Sequence, residues 1–318
     1  MMDGLNFAQD LLEKEPWLPT PLLPALVTGQ RLGMELWLKR EDGTPVGSFK
    51  LRGALVAAAR RTDSGSGIYA STAGNYGLAI ALACQINKIK ATIVMPNWAN
   101  PSKVERMKLT GATVIMHSDD VDTAKDHCIE LAERDGAVFW EDGTIEEMAL
   151  GTTTIAAELL THSGPWDYVL VPLGNGSLIK GIATVFKKRS PKTKVIGVQA
   201  GGAPAMYHWI KGNAWDSDKP VDTVADSISV RVPIPEISNE LKSLIDDVWL
   251  VEESKILSAV RTLLDVEQVM AEPASSTPVA AAAMHRTELQ GKKVAAIITS
   301  GHLRLSLMPS ILSVQGIV

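Results

Sequence analysis

The stretch KREDGTPVGSFKLRGA, residues 39–54, sets one lysine, Lys50, between Phe49 and Leu51 and just after Gly47. Most lysines are solvated; one set among apolar neighbours is a candidate for partial desolvation, which would favour the neutral, nucleophilic amine. A second cluster is LGNGSL, residues 173–178. Gly174 and Gly176 let the backbone approach a ligand closely, and Ser177 adds a hydroxyl. A helix is predicted to start at once, so its free N–H groups and positive dipole end face the turn. That arrangement suits a phosphate, although an ordinary tight strand-to-helix turn has the same composition. It is neither the dinucleotide fingerprint GxGxxG nor the P-loop GxxxxGK[ST]. A third cluster, STAGN at 71–75, brings two hydroxyls, backbone amides and a carboxamide to a predicted helix start. Such a start holds a carboxylate, and the same residues also serve as plain helix caps.

These clusters need elements to position them. Strands are predicted at 66–72, 90–96, 112–117, 137–140, 167–173, 194–200, 247–253 and 292–300. Helices are predicted at 75–88, 101–111, 121–136, 152–162, 178–189, 253–265 and 276–289, with Ser102 capping the second and Gly111 closing it. Residues 212–246 read as irregular. The alternation implies an α/β fold with mostly parallel sheets and helices on both faces. Ligands bind such sheets beyond the carboxyl ends of the strands, where all three clusters fall. The chain of 318 residues exceeds one typical core, which points to two domains.

Composition narrows the classes. A formal net charge of −5 argues against nucleic acid or an anionic membrane as partner. Two cysteines, Cys84 and Cys128, are too few for a disulfide framework and lack zinc-site spacing, which fits a reducing compartment. No secretory signal and no apolar run of membrane-spanning length is visible, so the cytoplasm is the expected location.

A nucleophilic lysine together with a phosphate turn suggests pyridoxal phosphate held as a Schiff base. LKREDGTPVGSFKLRGA resembles the lysine signature of the fold-type II pyridoxal-phosphate enzymes. That superfamily holds the threonine/serine dehydratases and the tryptophan synthase β-subunit, and the dehydratase branch is the most similar. STAGN resembles its Ser-x-x-Gly-Asn loop and LGNGSL its glycine-rich phosphate loop. VIGVQAGGAPAM resembles the strand and turn that follow, AEPASS its Glu-Pro-Ala-Gly element, and IITSG the strand end at the pyridine nitrogen. The resemblance covers nearly the whole chain, with the motifs in the expected order.

The resemblance implies two open, mostly parallel sheets flanked by helices. A larger cofactor-binding domain comprises 1–45 with 146–318, and a smaller domain, 46–145, closes over the substrate. Lys50 would bond to the cofactor and later take the α-proton, and Phe49 would pack near the ring. Asn75 would hydrogen-bond the ring's phenolic oxygen. Ser71, Thr72, Ala73 and Gly74 would cradle the substrate carboxylate, with Thr152 on the substrate side. Gly174, Asn175, Gly176, Ser177 and Leu178 would hold the phosphate, and Ser300 would face the pyridine nitrogen. A hydroxyl there supplies no negative charge to keep the ring protonated, which suits β-elimination better than transamination.

The expected activity is therefore that of an ammonia-lyase on a small L-hydroxy-amino acid such as threonine or serine, working as a homodimer. The alternatives are a replacement enzyme like cysteine synthase or threonine synthase, and a non-catalytic binding protein on the same fold. Five features bear on this. GTTT at 151–154 stands where the family often has Gly-Gln-Gly-Thr, and His302 follows Ser300 and Gly301 where a second glycine is usual. Ala73 occupies the place of the second base of serine racemases, so racemisation is expected to be poor. Asp226 lies in a stretch that holds a cation in some relatives, but a turn or capping role is the favoured reading and no metal site is expected. The chain stops soon after TSGHLRL, leaving no room for a regulatory domain there.

Overall fold

The structure, a computed structural model, describes residues 2–61, 65–162 and 164–318. Ten strands form two sheets among the described residues. In chain order they are β1 Leu22–Pro24, β2 Glu35–Arg40, β3 Ile68–Ser71, β4 Ala91–Met95 and β5 Thr113–Met116. They continue as β6 Val138–Phe139, β7 Tyr168–Pro172, β8 Lys194–Ala200, β9 Asp247–Val251 and β10 Lys293–Ile298. The six-stranded sheet has the order β1-β2-β10-β7-β8-β9, and the four-stranded sheet β5-β4-β3-β6. Every pairing is parallel except β1 with β2.

The central strands show why. All five residues of β7 are buried, as are 195–200 in β8 and 294–298 in β10. Strands covered on both faces read as continuous apolar runs rather than alternating ones. In the larger sheet the chain runs outward through β7, β8 and β9, then returns to place β10 on the other side of β7. The β7–β10 border is thus a topological switch point, where such sheets bind ligands.

One helix, Glu146–Thr161, links the pieces that matter. It packs on the helix Lys50–Arg60 and on the helix Ser177–Arg189. Glycines make both crossings close. A Cβ on Gly151 would lie 2.4 Å from the Gly53 nitrogen, and one on Gly181 would lie 2.2 Å from the Ala149 carbonyl oxygen.

The structure corrects several expected boundaries. The Glu146–Thr161 helix starts six residues before the predicted 152, so GTTT lies within it rather than at its start. The last helix of the predicted set spans Pro273–Met284 rather than 276–289. Residues 212–246 contain a helix, Pro235–Leu244, with proline at its first position. The Pro101–Leu109 helix is capped by the side chain of Asn100, which accepts from the Ser102 N–H, so Ser102 is not the cap.

Candidate active site

Lys50 is the first residue of its helix, and the residues before it are stitched to the end of β10. The Phe49 N–H donates to the Thr299 carbonyl at 3.0 Å, Ser48 and Ser300 form a β-bridge, and the Gly301 N–H donates to the Gly47 carbonyl at 3.2 Å. Gly47 has a φ of +68°, the left-handed region that favours glycine. The chain can therefore turn from strand end into helix with Lys50 aimed along the sheet's carboxyl edge.

A cavity of about 200 Å³ opens there. Phe49, Lys50, Asn75 and Ser300 line it, as do Gly174, Asn175, Gly176 and Leu178 of the glycine turn. The Lys50 ammonium lies 5.2 Å from the Phe49 ring centroid and 5.7 Å from that of Tyr76, with its side chain 14% exposed. Gly176 has a φ of +100° and starts the helix Ser177–Arg189, whose first N–H groups face the turn. The Asn175 carboxamide oxygen accepts from both the Ser177 N–H and its hydroxyl, each at 3.1 Å, which fixes the turn's shape.

Ser300 is buried and held on three sides. Its N–H donates to Ser275 Oγ at 2.8 Å, its carbonyl accepts from the Glu272 N–H at 3.1 Å, and its hydroxyl accepts from Asn75 Nδ2 at 3.1 Å. Asn75 Oδ1 in turn accepts from Lys103 Nζ at 3.0 Å. Burial pulls the Lys103 ammonium below its usual range, against the opposing pull of Glu272 and Asp226. Burial likewise pushes the Glu272 carboxyl up, only partly offset by the Ser227 hydroxyl that donates to it at 2.6 Å.

The expected residues do not all reach the cavity. Ser177 is buried beside it without lining it. Ser71, Thr72, Ala73 and Gly74 precede Asn75 at the carboxyl end of β3, outside the lining. The Ser71 hydroxyl there is buried and without a partner among the described residues, whereas Thr72 Oγ1 accepts from the Gly74 N–H at 3.0 Å. Thr152, expected on the substrate side, is corrected. It is buried between two helices, and its hydroxyl is spent on the carbonyls of Ala149, Ser177 and Leu178. It supports the glycine turn from behind. His302 faces away from the cavity: its Nε2 donates to the Val46 carbonyl at 2.6 Å, and burial lowers its pKa. It is a strut between the last motif and the Lys50 loop. Asp226 lines the cavity and pairs with Arg304 at 3.6 Å.

Sequence reasoning missed Asp142, whose Oδ2 accepts from Lys50 Nζ at 2.6 Å. A lone acid 92 residues away carries no motif, and only folding brings it to the lysine. It also missed the role of Glu272, although AEPASS marked its neighbourhood.

An amine, a glycine turn at a helix start, an aromatic wall and a buried hydroxyl together suit a flat, phosphorylated carbonyl compound. The comparisons agree. The family model described as pyridoxal-phosphate dependent enzyme matches residues 14–301, and the chain belongs to that family. Its cofactor is therefore pyridoxal phosphate. Among its relatives, the L-threonine ammonia-lyase of Thermotoga maritima is 33% identical over 301 residues, covering 94% of this chain and 75% of that one. A biosynthetic L-threonine dehydratase of Pasteurella multocida is also 33% identical, over 89% of this chain but only 56% of its own length. The solved structure of the processed form of threonine deaminase isoform 2 from Solanum lycopersicum matches with a TM-score of 0.89 at 28% identity, covering 98% of this chain and 93% of that one.

Proposed function

We propose that the chain is a pyridoxal-phosphate-dependent β-eliminating lyase, an ammonia-lyase that converts a small L-hydroxy-amino acid such as threonine or serine to a 2-oxo acid and ammonia. The observation that carries this reading is the convergence of Lys50, the Gly174–Leu178 turn and the Ser300 hydroxyl on one cavity, in a chain whose relatives include threonine ammonia-lyases. Bound there, pyridoxal phosphate supplies a carbonyl that bonds amines and a conjugated ring that draws electrons from the substrate's α-carbon.

The protein's own groups supply the rest. Lys50 Nζ takes the proton from the α-carbon, the electron pair left behind forms the Cα–Cβ double bond, and the β-hydroxyl departs with a proton as water. Water then hydrolyses the released enamine to the 2-oxo acid and ammonia. The N–H groups of the glycine turn hold the phosphate. Asn75, fixed between Ser300, Glu272 and Lys103, holds the ring's oxygen. Ser71 to Gly74, which lie outside the lining, come to hold the substrate carboxylate when their segment closes. Segment 46–145, which carries the smaller sheet, is the part that closes and excludes water. The reading includes a homodimer in the cytoplasm; two free, buried cysteines fit a reducing compartment, and sedimentation tests the dimer.

The direct experiment is to supply L-threonine or L-serine alone and measure 2-oxo acid and ammonia. Formation of both supports the reading. No 2-oxo acid from either, with a new amino acid formed from activated serine plus a thiol, would replace it with a transferase.

A further inference from the structure

The cavity contains a carboxylate with work left to do. Asp142 sits in the turn Glu141–Thr144, closed by the Thr144 N–H donating to the Glu141 carbonyl at 3.3 Å. Gly143, with a φ of +97°, packs tightly against the glycine turn: a Cβ there would lie 3.0 Å from Asn175 Nδ2 and 2.7 Å from Ile234 Cδ1. The two turns are thus fixed to each other, and Asp142 is held on the cavity wall.

Its two oxygens differ. Oδ2 accepts from Lys50 at 2.6 Å, whereas Oδ1 is buried without a partner among the described residues. A carboxylate oxygen only accepts, and leaving it buried without a donor is unfavourable. The side chain as a whole is 30% exposed on the cavity wall, so a rotation of the carboxylate presents that oxygen to a ligand's donor, which recovers the loss. Position says which part of the ligand. A base must come within hydrogen-bond reach of the proton it takes. With Lys50 at the α-carbon, the β-substituent is two bonds away, within reach of the carboxylate 2.6 Å from that lysine's nitrogen.

We infer that Asp142 determines substrate specificity, recognising a β-substituent that donates a hydrogen bond, a hydroxyl or an ammonium. It discriminates against β-substituents that only accept or are anionic, such as O-acyl and O-phosphoryl groups. The inference rests on the lyase reading above and narrows it, because activated serines carry the disfavoured groups.

The test uses α-methylserine and 2-aminoisobutyrate, which lack an α-proton and so bind without turnover, and which differ by one hydroxyl. Dissociation constants are read from the cofactor's visible absorbance in the holoenzyme. In the native protein α-methylserine binds about 10- to 100-fold more tightly. Asp142→Ala brings the ratio below about threefold. Asp142→Asn, which keeps an uncharged acceptor, falls between. Binding of 2,3-diaminopropionate separates the two donors: loss mainly of this cation in Asp142→Asn identifies the ammonium as the preferred group, and equal losses the hydroxyl. Retained cofactor absorbance and unfolding midpoint show that the variants are folded. A ratio near one in the native protein, or one unchanged in Asp142→Ala, overturns the inference alone. If no amino acid shifts the native absorbance, the lyase reading fails and the inference with it.

Discussion

Replacing Arg52 with methionine tests how the reactive lysine is anchored. Arg52 is two residues after Lys50 and fully buried. Its Nε and Nη2 donate to the two Glu41 oxygens at 2.7 and 2.9 Å, and Nη1 and Nη2 donate to Glu158 at 2.6 and 3.0 Å. Thr154 Oγ1 and Thr20 Oγ1 accept at 2.9 and 3.0 Å. One guanidinium thus joins the Lys50 helix to the end of β2 and to the helix Glu146–Thr161. Removing one partner of a buried ion pair costs about 3–5 kcal/mol, mostly because the other charge stays buried. Lys39 still pairs with Glu158 and lies 3.9 Å from Glu41, so part of the compensation survives. The expected loss is therefore at the lower end, about 3 kcal/mol, against a total stability of about 5–15 kcal/mol. Arg52→Lys keeps the charge but not the planar fork, and recovers only part of the loss. Urea unfolding of the holoprotein measures both. The pH response adds a second signature. Burial pushes the Glu41 carboxyl up, but Arg52 and Lys39 outweigh it and hold it below the usual range. Its contribution is present above the unfolded value of about 4.3 and is lost as pH falls through the folded one. That acid-sensitive part shrinks in Arg52→Met. An unfolding free energy within about 0.5 kcal/mol of the native protein's, with the same acid response, would refute the reasoning.

Gly176→Ala forces a side chain to a φ of +100° and puts a methyl 2.7 Å from Ile237 and 2.8 Å from Leu241. The left-handed backbone costs about 1–2 kcal/mol and overpacking about 1–3, so stability and cofactor affinity both fall, as denaturation and absorbance titration will show. Burial lowers the His302 pKa, helped by Lys103 and Arg106, so the contribution of its neutral ring is full above the unfolded value of about 6.5 and is lost as pH falls through the folded one. His302→Asn should flatten that part of the stability–pH curve. Burial pushes the thiols of Cys84 and Cys128 up to about 12 each, so iodoacetamide at pH 8 should label neither in the folded protein and both in denaturant, as read by mass spectrometry.

Much of this was legible because it is local. The Lys50 frame, the glycine turn and the alternation of strands with helices each lie within a short run of residues. The parallel order followed from that alternation, and the buried strands YVLVP and VAAII agree with it. The first two strands were not legible: β1 has three residues, and ELWLKR in β2 mixes charges into a strand whose Lys39 is buried only because Glu158 and Thr20 receive it. The start of the helix at Glu146 was hidden by Gly151, which reads as a break in sequence but serves a close helix crossing. Asp142 and the Arg52 network depend on contacts across 92 and 106 residues of chain, which no spacing rule reports. Thr152 misled because its place in the family's motif suggested substrate, while packing gave its hydroxyl to backbone carbonyls.

The most direct measurement is to reduce the holoprotein with borohydride, digest it and locate the pyridoxyl mass. The account predicts the label on the peptide containing Lys50, with no label and no 2-oxo acid from Lys50→Ala. A label on another lysine, or undiminished turnover by Lys50→Ala, would contradict it.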